Sequence, residues 1–157
     1  MPVNYRVIFS SRRHLGNEPN IFAIANPPPF VGKSEDFTFD LPDVDPRETA
    51  YLLFQTYDIT TGRNIFTINT VAVFGGIPVG PDHKDVGNNR RINIWMSHVL
   101  LVEPHHNLKA TGNVLNIEAQ AAAAGGTDLD DFLLDNMVIT YKTLGRVHDD
   151  QAQRQAR

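Results

Sequence analysis

An all-β fold, an antiparallel β-sandwich with the jelly-roll arrangement of about eight strands, is what this sequence predicts, and three observations predict it. No 3.6-residue periodicity is sustained for three turns anywhere in the chain. Short runs that alternate apolar and polar residues, or are apolar throughout, recur along it with turn signals between them. The most legible runs are Leu108 to Gln120, where Leu115, Ile117 and Ala119 alternate with Asn116, Glu118 and Gln120, and the mostly apolar Asp131 to Lys142. The two are expected to be neighbouring strands.

Taken in order, Asn4 to Ser10 predicts a first strand, with Tyr5, Val7 and Phe9 opposite Arg6 and Ile8. Ser11 to Pro19 predicts a loop, and Ile21 to Ala25 a short strand. Asn26-Pro27-Pro28-Pro29 ends it, because three prolines remove three ladder donors, and predicts an extended connector. Glu35 to Leu41 alternates Phe37, Phe39 and Leu41 on one side, and Asp43 to Glu48 turns. Tyr51 to Ile59 and Asn64 to Phe74 flank Thr60-Thr61-Gly62-Arg63, which is hairpin chemistry. A long glycine- and proline-rich loop follows. Arg91 to Val102 is then a strand with Ile92, Ile94 and Met96 on one face and Arg91, Asn93, Trp95 and Ser97 on the other. Ala121 to Gly126 predicts a loop or a helical turn, and Gly145 to Arg157 a polar tail. Residues 1–144 are thus expected to form one sandwich domain, and 145–157 a flexible end.

Composition excludes several chemistries. The chain of 157 residues has no cysteine, so disulfides, thiolate metal sites and cysteine nucleophiles are out. Its formal charge of −4 and scattered basic residues argue against nucleic acid. No apolar run approaches membrane-spanning length and no secretory signal opens the chain, so no membrane partner is expected, and the location is either cytoplasmic or reached by a non-standard export route. There is no Gly-x-Ser-x-Gly elbow and no phosphate-binding glycine loop before a helix. The expectation is a protein that is not an enzyme.

The run Ile65-Phe66-Thr67-Ile68-Asn69 before a glycine-rich turn, then Trp95 and Val99, then Leu108-Lys109-Ala110-Thr111-Gly112-Asn113-Val114-Leu115-Asn116-Ile117, resembles the galactose-binding-domain-like jelly rolls. Asp131 to Ile139 resembles the closing strand of carbohydrate-binding modules in that superfamily. The resemblance covers roughly the second half of the chain and implies non-catalytic recognition of sugars, or an architectural role. In such relatives a carboxylate on the closing strand helps hold a structural calcium. On that basis Asp135 has Asp128, Asp130 and Asp131 in reach as further oxygen donors, and Asp128, Asp130 and Asp135 are the candidate metal set. The alternative is a solvated loop at Asp128 to Asp131 and an Asp135 bonded to a neighbouring amide. The first strand, Asn4 to Ser10, supplies no acid.

Sugar recognition calls for an exposed aromatic ring with polar groups around it. Trp95 shares its face with Arg91 and Asn93, which makes it the candidate platform, against the alternative of a core or interface tryptophan. The loops Gly75 to Asn89 and Ala121 to Asp130 are expected to form the site, and His83, Asn88 and Asn89 complete the candidate set. Glu103, His105 and His106 cluster without a standard zinc spacing, and His98 is expected at a strand end with a backbone partner. A second function class is assembly: a homo-oligomer, fibre or virus-like particle built through strand faces and flexible arms.

Overall fold

The computed structural model describes residues 2–22, 24, 26–73, 95–121 and 123–145. Ten strands are described there: β1 (Val3–Phe9), β2 (Arg13–Leu15), β3 (Phe30–Gly32), β4 (Ser34–Phe39), β5 (Ala50–Tyr57), β6 (Ile65–Ile68), β7 (Val71–Ala72), β8 (Trp95–Val102), β9 (Asn113–Glu118) and β10 (Phe132–Lys142). They form two sheets. Sheet A has the order β3-β2-β10-β5-β8, with β1 also paired to β10, and sheet B the order β4-β9-β6-β7. With β1 and β2 counted as one broken strand beside β10, five strands of sheet A face four of sheet B. From β3 onward, successive strands cross between the sheets except at β6–β7, which is the jelly-roll plan.

The expected periodicities set the core. Phe37, Phe39 and Leu41 from the β4 segment, and Leu115, Ile117 and Ala119 from the β9 segment, are buried, as are Leu52 and Phe54 on β5 and Leu100 and Val102 on β8. Phe54 of sheet A and Phe66 of sheet B meet with ring centroids 5.2 Å apart, so the two layers touch through aromatic rings. Tyr5 and Val7 point outward, but a register shift between Val7 and Phe9 turns Phe9 into the core, where it stacks on Phe37 at 4.4 Å. At the other end of this edge the Thr143 amide donates to the carbonyl of Pro2 at 3.0 Å.

Several expectations are corrected. Thr60 to Arg63 does not close a hairpin: β5 lies in sheet A and β6 in sheet B. The cause is Asp130, whose carboxylate accepts from the amides of Thr60 and Thr61, the Thr60 hydroxyl and the Asn64 side chain, and so holds the segment as a crossing between layers. Asn64 to Phe74 is not one strand either. Asn69 and Thr70 both have positive φ, 51° and 71°, and make the tight turn between β6 and β7. β9 and β10 do not pair; β9 lies in sheet B and β10 in sheet A.

The Ser11 to Pro19 loop contains β2, which pairs with β10 at Arg13 to Leu15, and the proline connector delivers β3 parallel to β2. Ile21, Phe22 and Ile24 are not in a strand. Gly16 follows β2 where a Cβ would collide with the Asp131 carboxylate, so the close approach requires glycine. Of the polar tail, residues 146–157 lie outside the described residues, as do 91–94 at the start of the expected Arg91 strand.

Candidate functional site

The sandwich offers two outer faces, and their chemistry differs. On sheet B, register aligns Asp36 of β4, Asn116 of β9 and Thr67 of β6 in one cross-strand row. The alternation that buries Phe37, Leu115 and Phe66 sends these polar neighbours outward. The Asn116 amide donates to Asp36 Oδ1 at 2.7 Å and fixes the pair across two strands. An open groove of about 710 Å³ runs over this row, lined also by Asn69, Thr70, Lys109, Gly112 and Val114.

The rim of that groove is rigidly held. Asn69 donates to the carbonyls of His106 and Asn107 and accepts from the Val114 amide at 3.1 Å. Buried Asn113 accepts from the Lys109 amide at 2.8 Å and donates to the Lys109 carbonyl at 2.6 Å, which sets the backbone that carries the Lys109 ammonium. Gly112 donates to Asp40 Oδ1 at 2.8 Å. Among the described residues Lys109 forms no side-chain ion pair.

On sheet A the outer face is apolar for most of its width. Tyr5, Thr140, Tyr51 and Leu101 lie side by side across β1, β10, β5 and β8, and Val7, Val138, Leu53 and Val99 form the next row. A polar row of Asp135, Gln55 and Ser97 separates them from Tyr57 and Trp95. Trp95 is 36% exposed and packs on Tyr57, with centroids 5.5 Å apart. The Arg12 guanidinium lies 5.0 Å from the Trp95 ring and 3.2 Å from Asp135. Trp95 is therefore an outer-face aromatic, partly covered by Arg12.

Of the remaining expected ligand residues, His83, Asn88, Asn89, Arg91 and Asn93 lie outside the described residues. The candidate metal set is not brought together. Asp130 is 3% exposed and committed to the Thr60 to Asn64 crossing, Asp135 is paired with Arg12, and Asp128 is exposed on the surface. No group of three His, Asp or Glu suited to a metal ion occurs among the described residues.

His106 is buried, with its two ring nitrogens against the carbonyls of Glu103 and Ala72, while His105 pairs with Glu103 at 3.3 Å. His98 is within β8 rather than at its end, and its partner is the Thr56 hydroxyl at 2.6 Å, not the backbone. Burial pushes its pKa down from the ordinary histidine value.

The groove residues were not singled out by sequence reasoning, because they come from three strands and two turns whose register brings them together. The signal that could have found them is the outward half of each alternation, Asp36, Asn116 and Thr67.

Fold and groove together define a jelly-roll β-sandwich with an open groove of mixed polar and apolar lining on one face. Among solved structures, a β-porphyranase of glycoside hydrolase family 86 from the human gut bacterium Bacteroides plebeius is similar to it, with a TM-score of 0.53 and 14% sequence identity over 90% of this chain. The match takes in 20% of that enzyme's chain, so this protein spans a fifth of its length. A likeness at that identity shows the sandwich fold alone. No protein family matches the sequence, and no curated protein does.

Proposed function

We propose that this chain is a non-catalytic recognition module that holds a carbohydrate, or a ligand of similar polarity, in the groove on sheet B. The observation that carries the reading is the groove itself. Its volume of about 710 Å³ suits a small ligand, and its lining offers carboxylate, amide, hydroxyl and ammonium groups. Sugar hydroxyls donate and accept, so a mixed lining of this kind complements them. Glycoside hydrolysis needs two carboxyl groups across the scissile bond, and among the described residues Asp36 is the one acid in the lining, which supports binding over cleavage. The resemblance of the Leu108 to Ile117 segment to galactose-binding-domain-like jelly rolls, and the fold likeness to a part of a carbohydrate-active enzyme, support the same ligand class.

A glycan array followed by calorimetry tests this. Asn116→Ala, Asp36→Ala and Lys109→Ala are each expected to weaken binding about tenfold or more, as expected for the loss of a hydrogen bond to a polar ligand. Trp95→Ala should leave affinity unchanged. The reverse pattern would move the site to the aromatic corner of sheet A, and silence across a broad sugar panel would defeat the carbohydrate reading.

A further inference from the structure

The apolar face of sheet A asks for a different occupant from the groove. Tyr5 is 67% exposed, Val99 63% and Leu101 50%, on a sheet face where alternation normally places polar side chains. The exposed parts of the two apolar rows amount to on the order of 600 Å², at the top of the range of about 300–600 Å² for the largest patch on an ordinary monomer. With Trp95 and Tyr57, which lie across the intervening row of Asp135, Gln55 and Ser97, the face approaches the roughly 800 Å² per partner of a stable interface.

Charge indicates what fits there. The two rows contain no ionised side chain, and an ion pair stands beyond each end: Arg12 with Asp135 at 3.2 Å, and Lys142 with Glu48 at 2.6 Å. Each pair is neutral overall. An identical face turned through a two-fold axis therefore brings apolar rows onto apolar rows without opposing like charges, whereas a strongly charged partner finds no complement. Tyr5, Tyr51, Trp95 and Arg12 are also of the residue types that dominate binding energy at interfaces.

We propose that this face seats a second copy of the chain, giving a two-fold dimer packed through the outer faces of sheet A. The grooves, on the opposite side of each sandwich, then point away from each other, and the dimer presents two ligand sites. Dimerisation is independent of the groove reading; bivalence alone rests on it.

Sedimentation of the full chain over a range of concentrations is expected to give twice the chain mass. The exposed-site substitutions Val99→Asp and Leu101→Asp together should give the monomer, with circular dichroism and melting temperature retained. A wild-type chain that stays monomeric at about 100 μM, weaker than any useful affinity on this scale, would overturn the proposal. The natural absence of cysteine allows a second measurement in which folding is hardly perturbed. Val99→Cys should be cross-linked between chains by a short bismaleimide, and Thr38→Cys, on the outer face of sheet B, should not. Equal cross-linking of both would also overturn it. Asn116→Ala should keep the dimer mass whatever it does to ligand binding, so failure of one reading is distinguishable from failure of the other.

Discussion

The side-chain amide of Asn69 donates to the side-chain oxygen of Asn113 at 3.1 Å, joining residues that are 44 positions apart in sequence. The bond ties the tight β6–β7 turn to the turn that enters β9, and both turns line the groove. It lets a left-handed residue, Asn69 with φ of 51°, be held by its own side chain.

Asn113→Ala should therefore be costly. Asn113 is fully buried, and its loss leaves the Lys109 amide and the carbonyls of Lys109 and Phe39 without that partner. A destabilisation of about 2–3 kcal/mol in urea unfolding is expected, on the scale of buried polar groups left unsatisfied. Gly112-Asn113 is a turn that sequence alone marks, but the reach from Asn113 to Asn69 is not legible there, because it depends on β6 and β9 being in register.

That contrast runs through the whole chain. Leu115, Ile117 and Ala119, like Phe37, Phe39 and Leu41, declare their inward face through period-two alternation, and all are buried. The crossing at Thr60 to Asn64 reads as a hairpin because its local turn chemistry is the same. What separates the two outcomes is a carboxylate 70 residues from Thr60. β2 has only three residues and carries no pattern of its own; pairing with β10 makes it a strand. Trp95 is legible as an outward residue on its strand, whereas the Arg12 guanidinium above it is not.

Asp130 gives a second expected outcome. Asp130→Ala removes the acceptor for Thr60, Thr61 and Asn64 at once, and should lower stability by about 2–4 kcal/mol. Asp130→Asn, which keeps one carbonyl acceptor, should lose less. Denaturant unfolding of both variants checks the order. If Asp130 were instead a calcium ligand, the wild-type loss would follow added chelator, and a chelator-independent melting temperature separates the two roles.

His98 should give the stability a pH dependence. Its pKa in the folded chain lies below the ordinary value because burial disfavours the charged ring, so the unfolded chain binds its proton first as pH falls. Stability is fully present above the unfolded value of about 6.5 and is lost as pH falls below it toward the lower pKa of the folded chain. Urea midpoints measured across that window should decline for the wild type. In His98→Gln, which retains a polar group near Thr56, the decline should be shallower, and an equal slope in both would show that another histidine is responsible.

The position of β10 has a kinetic side. This strand lies between β1 and β2 on one edge and β5 on the other, and it contributes Phe132, Leu134, Met137 and Ile139 to the core. It is also the last strand of the ten. On a ribosome, sheet A has no centre until Phe132 to Lys142 has emerged, and β1 must wait through the synthesis of nearly everything between them. Pairing between the first and last of these strands demands a long loop closure before any contact rewards it, so folding is expected to be slow and to begin only once β10 is free of the ribosome.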